Sequence, residues 1–468
     1  MIDLQQPLDL DDPEAEAFLD GIQGNILRSH GRDFSAHLLL RMAGDAEAAR
    51  RWITAFATER VTSAATALRQ TRAFREYGGP GAPFALFALA PDGYRALGFT
   101  DAQLPTPDDR FNPSFGDRYF RLGMKGQATI VPRRANDPDV SAWEPPYRQQ
   151  IHAMVLLADD DKARLDTSVA EVAASAAGVF DVLTVERGAR LTQKFPRGEL
   201  TIEHFGFQDG VSQPLMIKQD IDAEVARRGA EHWDPRAPLS LALLREPGGG
   251  LGSFLVFRKL EQDVKGFRDA VGDLANRTGA DAEDLAAMAV GRRRDGTPLV
   301  PTTTLVDGAD PNDFHYDLDP VGRQCPLFAH IRKTNPRGDV PRYIAPGTAE
   351  FERARRIVRR GITYGERPDL ADPPVGDPPS TGVGLLFLCF GSNIDQFMIQ
   401  QDGADSDHFV RSDVGVDAII GQHPDPLPQR WFGTAFPMAN FVTMKGGEYF
   451  FAPSMTFLAG LGRTEARP

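Results

Sequence analysis

Apolar runs of strand length alternate with stretches of helical spacing, and their order limits the fold more than any other feature of the chain. Ala36-His-Leu-Leu-Leu-Arg-Met42 reads as a buried strand. Asp45 to Glu59 reads as a helix, with Ala48, Trp52, Ile53 and Phe56 at helical spacing. Phe84-Ala-Leu-Phe-Ala-Leu89 is a second strand, and a short helical piece from Pro91 to Leu97 follows. Residues 100–147, rich in Pro, Asp, Gly and Arg, read as a long excursion. Strand character resumes at Ile151-His-Ala-Met-Val-Leu-Leu157. An Ala-rich helix from Lys162 to Ala177 comes next, behind an Asp run that suits its N-terminus. Phe180-Asp-Val-Leu-Thr-Val185 then alternates like a strand. The order β-α-β, excursion, β-α-β is the ferredoxin-like plan.

The second half repeats the alternation less cleanly. Phe254-Leu-Val-Phe257 is a strand, Gln262 to Ala275 a helix, and residues 276–329 read as mostly irregular. Gly384-Leu-Leu-Phe-Leu-Cys-Phe390 is the strongest strand signal in the chain. Ile394 to Gln401 reads as helical and Glu448-Tyr-Phe-Phe451 as a last short strand. The expected fold class is therefore α+β: two ferredoxin-like domains with long insertions, over residues 20–195 and 196–465. The acidic first 20 residues read as a loose arm, and the Pro-rich stretch Arg367 to Pro379 as a surface loop.

Of the 468 residues, 41% are hydrophobic and 25% charged, which is ample for a large core without metal or disulfide staples. The net charge of −13 repels phosphate backbones and anionic lipid, so no nucleic-acid or membrane partner is expected. The two cysteines, Cys325 and Cys389, allow no disulfide framework and no C-x-x-C pair. The start has no basic region followed by an apolar run, and no window reaches membrane-span length, so a cytoplasmic location is expected.

None of the nine histidines has the spacing of a zinc helix. The acidic run Asp307 to Asp319 lacks the glycine a calcium loop needs at its sixth position. Three segments remain. In Glu203-His-Phe-Gly-Phe-Gln-Asp-Gly-Val-Ser-Gln-Pro214, Asp209 is either an ordinary turn aspartate or an acid displayed at a chain reversal. In Cys325-Pro-Leu-Phe-Ala-His-Ile-Arg-Lys-Thr-Asn-Pro-Arg337, His330 is either a partly buried histidine or a metal ligand. Neutral imidazole suits iron, and Arg332, Lys333 and Arg337 could pair with the carboxylates of an anionic cofactor. In Arg355-Arg-Ile-Val-Arg-Arg-Gly-Ile-Thr-Tyr-Gly365, four arginines in six residues would usually form a solvated face. Ile357 and Val358 give that segment an apolar side, so one arginine could point inward.

Together these segments resemble the dye-decolourising peroxidase family. Phe-Gly-Phe-Gln-Asp-Gly-Val-Ser-Gln-Pro resembles its distal G-x-x-D-G motif, and the His330 segment its proximal-histidine run. Ile-Val-Arg-Arg-Gly-Ile-Thr-Tyr-Gly resembles its distal-arginine run. Gly384–Phe390 resembles the strand that closes the pocket, and Asp20-Gly-Ile-Gln-Gly-Asn-Ile-Leu27 the family's usual beginning. The resemblance covers nearly the whole chain and implies a pair of ferredoxin-like domains, with the haem pocket mainly in the C-terminal half. It implies one haem b per chain, with His330 as the axial iron ligand. Asp209 and Arg359 then work on hydrogen peroxide, and Arg332, Asn335, Arg337, Leu385 and Phe387 contact the cofactor. Asp395 is a candidate acceptor for the second ring nitrogen of His330. The implied activity is the reduction of hydrogen peroxide and the oxidation of dyes, phenolics or other one-electron donors through an oxidised iron-oxo haem. The alternative is a non-catalytic haem-binding or iron-releasing protein on the same fold.

This chemistry needs those residue types. A base near both peroxide oxygens must move a proton from the inner to the outer one before the O–O bond breaks, and Asp209 is in the matching place. His204 of the same motif is the reserve base. A fixed guanidinium stabilises the charge on the leaving oxygen, and arginine keeps its charge in a dry pocket. Arg359 is expected to take that role, with Arg360 facing solvent. A carboxylate on the far nitrogen of His330 would strengthen the ligand.

Overall fold

The chain is described by a computed structural model over residues 2–79, 81–107, 116–130, 136–301, 312–343, 348–371, 373–408, 412–423 and 427–462. Strand β1 (Phe34–Met42) buries every residue from Ser35 to Leu40, as a strand covered on both faces does. Helix α1 (Ala46–Arg60) starts where the Asp45 carboxylate accepts the Ala48 N–H, and Ser63 caps α2 (Ala64–Tyr77) in the same way. Strands β2 (Phe84–Leu89) and β3 (Ala153–Asp159) are fully buried. Helix α3 (Lys162–Ala176), capped by Asp161, and β4 (Phe180–Ala189) complete the first unit. Its strands lie in the order β4-β1-β3-β2, all antiparallel, as the ferredoxin-like plan requires.

The second unit repeats this order. It comprises β5 (Leu251–Gln262), α4 (Val264–Thr278), α5 (Ala282–Val290), α6 (His330–Thr334) and β6 (Ile362–Tyr364). Then follow β7 (Gly384–Gly391), α7 (Asp395–Asp405) and β8 (Val442–Ala452). The strand order is β8-β5-β7-β6. Phe451 of β8 pairs with Leu89 of β2, so the two units share one ten-stranded sheet. The outer edges of that sheet also meet, where the Thr363 hydroxyl bonds the Ala189 carbonyl. Gly188 permits this approach, since a Cβ there would lie 2.3 Å from Ile362 Cγ2.

Several expectations change. Residues 2–20 are packed: Leu8 is buried and exchanges backbone bonds with Met216 and Lys218, and Ala15–Asp20 is a helix. Leu8, Ala15 and Leu19 are buried, and Ile2, Leu4, Leu10 and Phe18 pack against the core beside them. α5 stands inside the stretch read as irregular, opened by an Asp281 cap. β8 is eleven residues long rather than four, because Gly446-Gly447 and a bulge after Met444 mask its period. At Gly446 a Cβ would strike the Tyr147 ring at 2.1 Å. Residues 307–311 of the rejected calcium loop lie outside the described residues. No described helix is long and apolar enough to cross a membrane.

Candidate active site

Side chains alternate along β5 and β7, so Arg258, Leu260, Gln262, Leu385 and Phe387 all reach one side of the sheet. There they line a cavity of about 260 Å³. His330, Asn335, Arg337, Asp209 and Arg359 line the same cavity. The three segments singled out in the sequence thus converge on one space.

His330 stands at the N-terminus of α6. Its Nδ1 bonds Asp417 Oδ2 at 2.9 Å. The Asp417 carboxylate is fully buried, and its other oxygen accepts the N–H groups of Ile419 (2.8 Å) and Ile420 (3.0 Å). Three contacts on one carboxylate fix the ring and leave Nε2 as the nitrogen available to a metal. Asp395 does not have this role. It opens α7 with its N–H on Asn393 Oδ1, its charge acts on Arg355, and it is absent from the cavity wall. The loop before β8 supplies the acceptor instead. The signal for it was an acid inside an apolar run, Val416-Asp417-Ala418-Ile419-Ile420.

Two of the three cations near His330 serve the fold. Arg332 is fully buried in an ion pair with Asp339 (2.6 Å), also reaches Asp319 (3.5 Å), and lies over the Tyr316 ring. It does not line the cavity, so it cannot contact a cofactor there. Lys333 turns to the C-terminal end of α7, where it donates to the carbonyls of Gly403 and Ser406. Arg337 does line the cavity, held between the rings of Trp233 and Phe314. Among the described residues, every hydrogen bond it donates ends on a neutral oxygen, in Asn312, Phe314 or Ser212. Burial, with Arg292 nearby, pulls its pKa well below the usual arginine value.

Across the motif around Asp209, Glu203 holds the chain reversal. Its carboxylate accepts from Phe205 N–H (2.9 Å), Phe207 N–H (3.0 Å) and Gln262 Nε2 (2.7 Å). Burial raises its pKa. Asp209 Oδ1 accepts from Gly210 N–H (2.6 Å) and from Arg359 Nη1 (3.2 Å). Arg359 Nη2 also donates to the Ser212 carbonyl, and the Arg359 N–H to Gln213 Oε1. Arg359 lies on a two-residue strand, Val358–Arg359, that pairs with β7, which is why it is aimed so firmly.

Arg360, expected in solvent, points inward. Its guanidinium donates to the carbonyls of Asn25 (2.8 Å), Ile26 (3.2 Å) and Arg359 (2.9 Å), and burial lowers its pKa to about 9. The early Gly-Ile-Gln-Gly-Asn-Ile-Leu motif is thus a seat for this arginine. His204 is also removed from the chemistry. It is fully buried, its Nε2 bonds the Tyr364 carbonyl, burial lowers its pKa to about 4, and it does not line the cavity.

No family model matches the chain. The multifunctional dye peroxidase DyP2 of Amycolatopsis is 39% identical over 476 aligned positions, covering 96% of this chain and 97% of its own. The chain belongs to the dye-decolourising peroxidase family. Dye-decolorizing peroxidase msp1 of Mycetinis scorodonius is 30% identical, over 79% of this chain and 74% of its own. The crystal structure of an Anabaena DyP-type peroxidase superposes on this peroxidase with a TM-score of 0.86 at 37% identity, covering 98% and 99% of the two chains. Dye-decolourising peroxidases are haem enzymes on paired ferredoxin-like units, the fold described above. The site suits such a group in two respects. His330 offers one ring nitrogen to a metal, and Arg337 brings a buried cation that meets only neutral oxygens to the wall, as an anionic cofactor requires.

Proposed function

We propose that this peroxidase holds one haem b per chain in the cavity, with His330 as iron ligand and Asp209 and Arg359 acting on hydrogen peroxide. The observation that carries the reading is the anchoring of His330 on Asp417 in the same cavity that Asp209 and Arg359 line. Arg337 and Asn335 are the residues we assign to the cofactor's polar edge, and Leu385 and Phe387 to its peroxide side.

When bound, haem supplies the redox-active iron at which peroxide is reduced. Asp209 takes the proton from the inner peroxide oxygen and returns it to the outer one. Both bonds found on its carboxylate fall on Oδ1, so Oδ2 is the oxygen that moves the proton. Arg359 stabilises the charge that builds on the departing oxygen. It is held in place because its second nitrogen and its own N–H are tied to Ser212 and Gln213. Asp417 keeps the His330 N–H on Nδ1 and raises the basicity of Nε2.

Leu385 and Phe387 stand in the cavity wall, and on this reading bulky dyes give up electrons one at a time from outside the cavity. The division into units 20–195 and 196–465 belongs to this proposal. Its support is that each span holds one complete set of four strands in the same order. A cytoplasmic location is proposed on the composition alone. The test is the absorption spectrum of the purified protein before and after hydrogen peroxide, in wild type and His330→Ala. A haem band that responds to peroxide in wild type and is lost in the variant is expected. A colourless wild type, or a band that peroxide leaves unaltered, would overturn the reading.

A further inference from the structure

On the far side of the His330 segment, a second cavity of about 310 Å³ opens to solvent. Its floor is apolar: Met288 of α5, Pro326, Leu327, Phe328 and Val414. At its rim stand Arg323, Arg430, Asp413 and Phe432. The ring of Phe328 lies 4.6 Å from that of Trp431, tilted by 51° to it, and Trp431 is fully buried and precedes Phe432. The cavity is separate from the one that His330 lines, and none of the chemistry above uses it.

Three observations indicate that it is built for a ligand. The first is backbone strain. Phe432 and Gly433 form the two-residue turn between Gln429–Trp431 and Thr434–Phe436, with φ of 49° and 89°. Such a turn favours Asn-Gly, and a large aromatic at its first position is strained. Asp413, across the cavity, also has a positive φ, of 60°. Aspartate takes up this conformation readily, so it is Phe432 that holds strain at this rim, as residues at ligand-binding sites do.

The second observation is exposure. Phe432 is 66% exposed and Val321, beside it in the cavity wall, 50%. A strained phenylalanine held out in water gives the fold nothing in return. The third is charge. The guanidinium groups of Arg323 and Arg430 make no ion pair and no hydrogen bond among the described residues. With Asp413 they leave the rim at +1 on a chain of net charge −13. An apolar floor of this volume with a cationic rim recognises a small molecule with an apolar ring and one acidic group.

We infer that this cavity binds an amphipathic organic anion, an aromatic carboxylate or sulfonate, with its ring between Phe432 and Phe328 and its acid on Arg323 and Arg430. The inference does not depend on the assignment of the first cavity. It places a recognition site for the ring-plus-acid class two residues before His330.

The test is calorimetric titration of the holoenzyme with anilinonaphthalene sulfonate and with its uncharged analogue, phenylnaphthylamine. One saturable site for the sulfonate is expected, with weaker binding of the neutral analogue. Arg323→Gln and Arg430→Gln should each weaken the sulfonate about tenfold, the loss of one charge-assisted contact, and leave the neutral analogue unchanged. Phe432→Asn separates function from folding, because asparagine suits the turn. It should raise the Tm while weakening both probes. Absence of a saturable site, or sulfonate binding indifferent to all three variants, would overturn the inference. So would a wild-type dimer that Phe432→Asn converts to monomer in sedimentation, because the cavity would then be covered by a second copy of the chain.

Discussion

Asp417→Asn tests the assignment of the iron ligand at its most sensitive point. Asparagine keeps the shape, and its carbonyl oxygen can still accept the N–H groups of Ile419 and Ile420. Its amide nitrogen then faces His330 Nδ1, where a carboxylate oxygen sat at 2.9 Å. The charge and the acceptor are lost together, at a site with no access to water. Loss of such a partner typically costs about 10–100-fold in metal affinity or activity. A one-electron couple moves about 59 mV for each tenfold loss that falls on the ferric form and not on the ferrous, so a loss borne by ferric iron raises the midpoint by up to about 60–120 mV. The direction follows from the ligand: a less basic imidazole stabilises ferric iron less. Spectroelectrochemical titration of both proteins reads the shift, and transfer of the cofactor to an acceptor protein reads its retention. Asp395→Asn is the control and should leave the midpoint in place. A midpoint unmoved in Asp417→Asn, or moved equally in Asp395→Asn, would refute the reasoning.

Arg359→Leu should slow the reaction with peroxide about 10²–10³-fold in stopped-flow measurements, with little change in Tm. Arg360→Leu should do the reverse: it leaves the carbonyls of Asn25 and Ile26 without their donor and removes about 1–3 kcal/mol of stability, read by denaturant titration, while the folded fraction reacts near the wild-type rate. Equal rate losses in the two variants would mean that the motif is placed one residue off or that the segment is only structural. Burial pushes the Asp405 carboxyl up to about 8, although Gln422 N–H and Gln401 Nε2 both donate to it. Its folded value lies above its unfolded value of about 3.9, so the folded state binds the extra proton between them. Stability should therefore fall as pH rises from about 4 to about 8. Asp405→Asn should flatten that part of the Tm–pH curve, raising Tm at the alkaline end and not at the acidic end.

Most of the fold was legible because its strands are bounded by strong signals. Phe84–Leu89 is a bare apolar run, and Asp45 marks the start of α1 by the bond its side chain makes. β8 was cut short because its two glycines have no side chains to show the period, although the close approach to Tyr147 depends on one of them. The pairings around the site were harder. A sequence shows that Arg332 and Arg337 are both cations near His330. It does not show that Asp319 and Asp339 converge on the first and only neutral oxygens on the second. Asp395 stands just after the strongest strand and Asp417 in a loop further on, and chain proximity to a strand says nothing about which loop folds back onto α6. Arg360 was misplaced for the same reason, since its partners lie some 335 residues away.

The contact between Arg360 and the Asn25 carbonyl bears on whether the enzyme can be divided. Among the described residues, the span 20–195 gives the first cavity only Asp137, and a minimal haem-binding fragment cut from the second half would seem complete. It would not be. Arg360 would lose its seat on the carbonyls of Asn25 and Ile26, and the second half the stability that seat provides. β8 would lose its pairing with β2 and offer a bare edge to other chains. Gln23, which bonds the carbonyls of both Phe87 and Pro453, shows the same mutual dependence from the other direction. The two halves share a plan without being modules, so each acts as the other's foundation, and circular permutation should be tolerated where truncation is not.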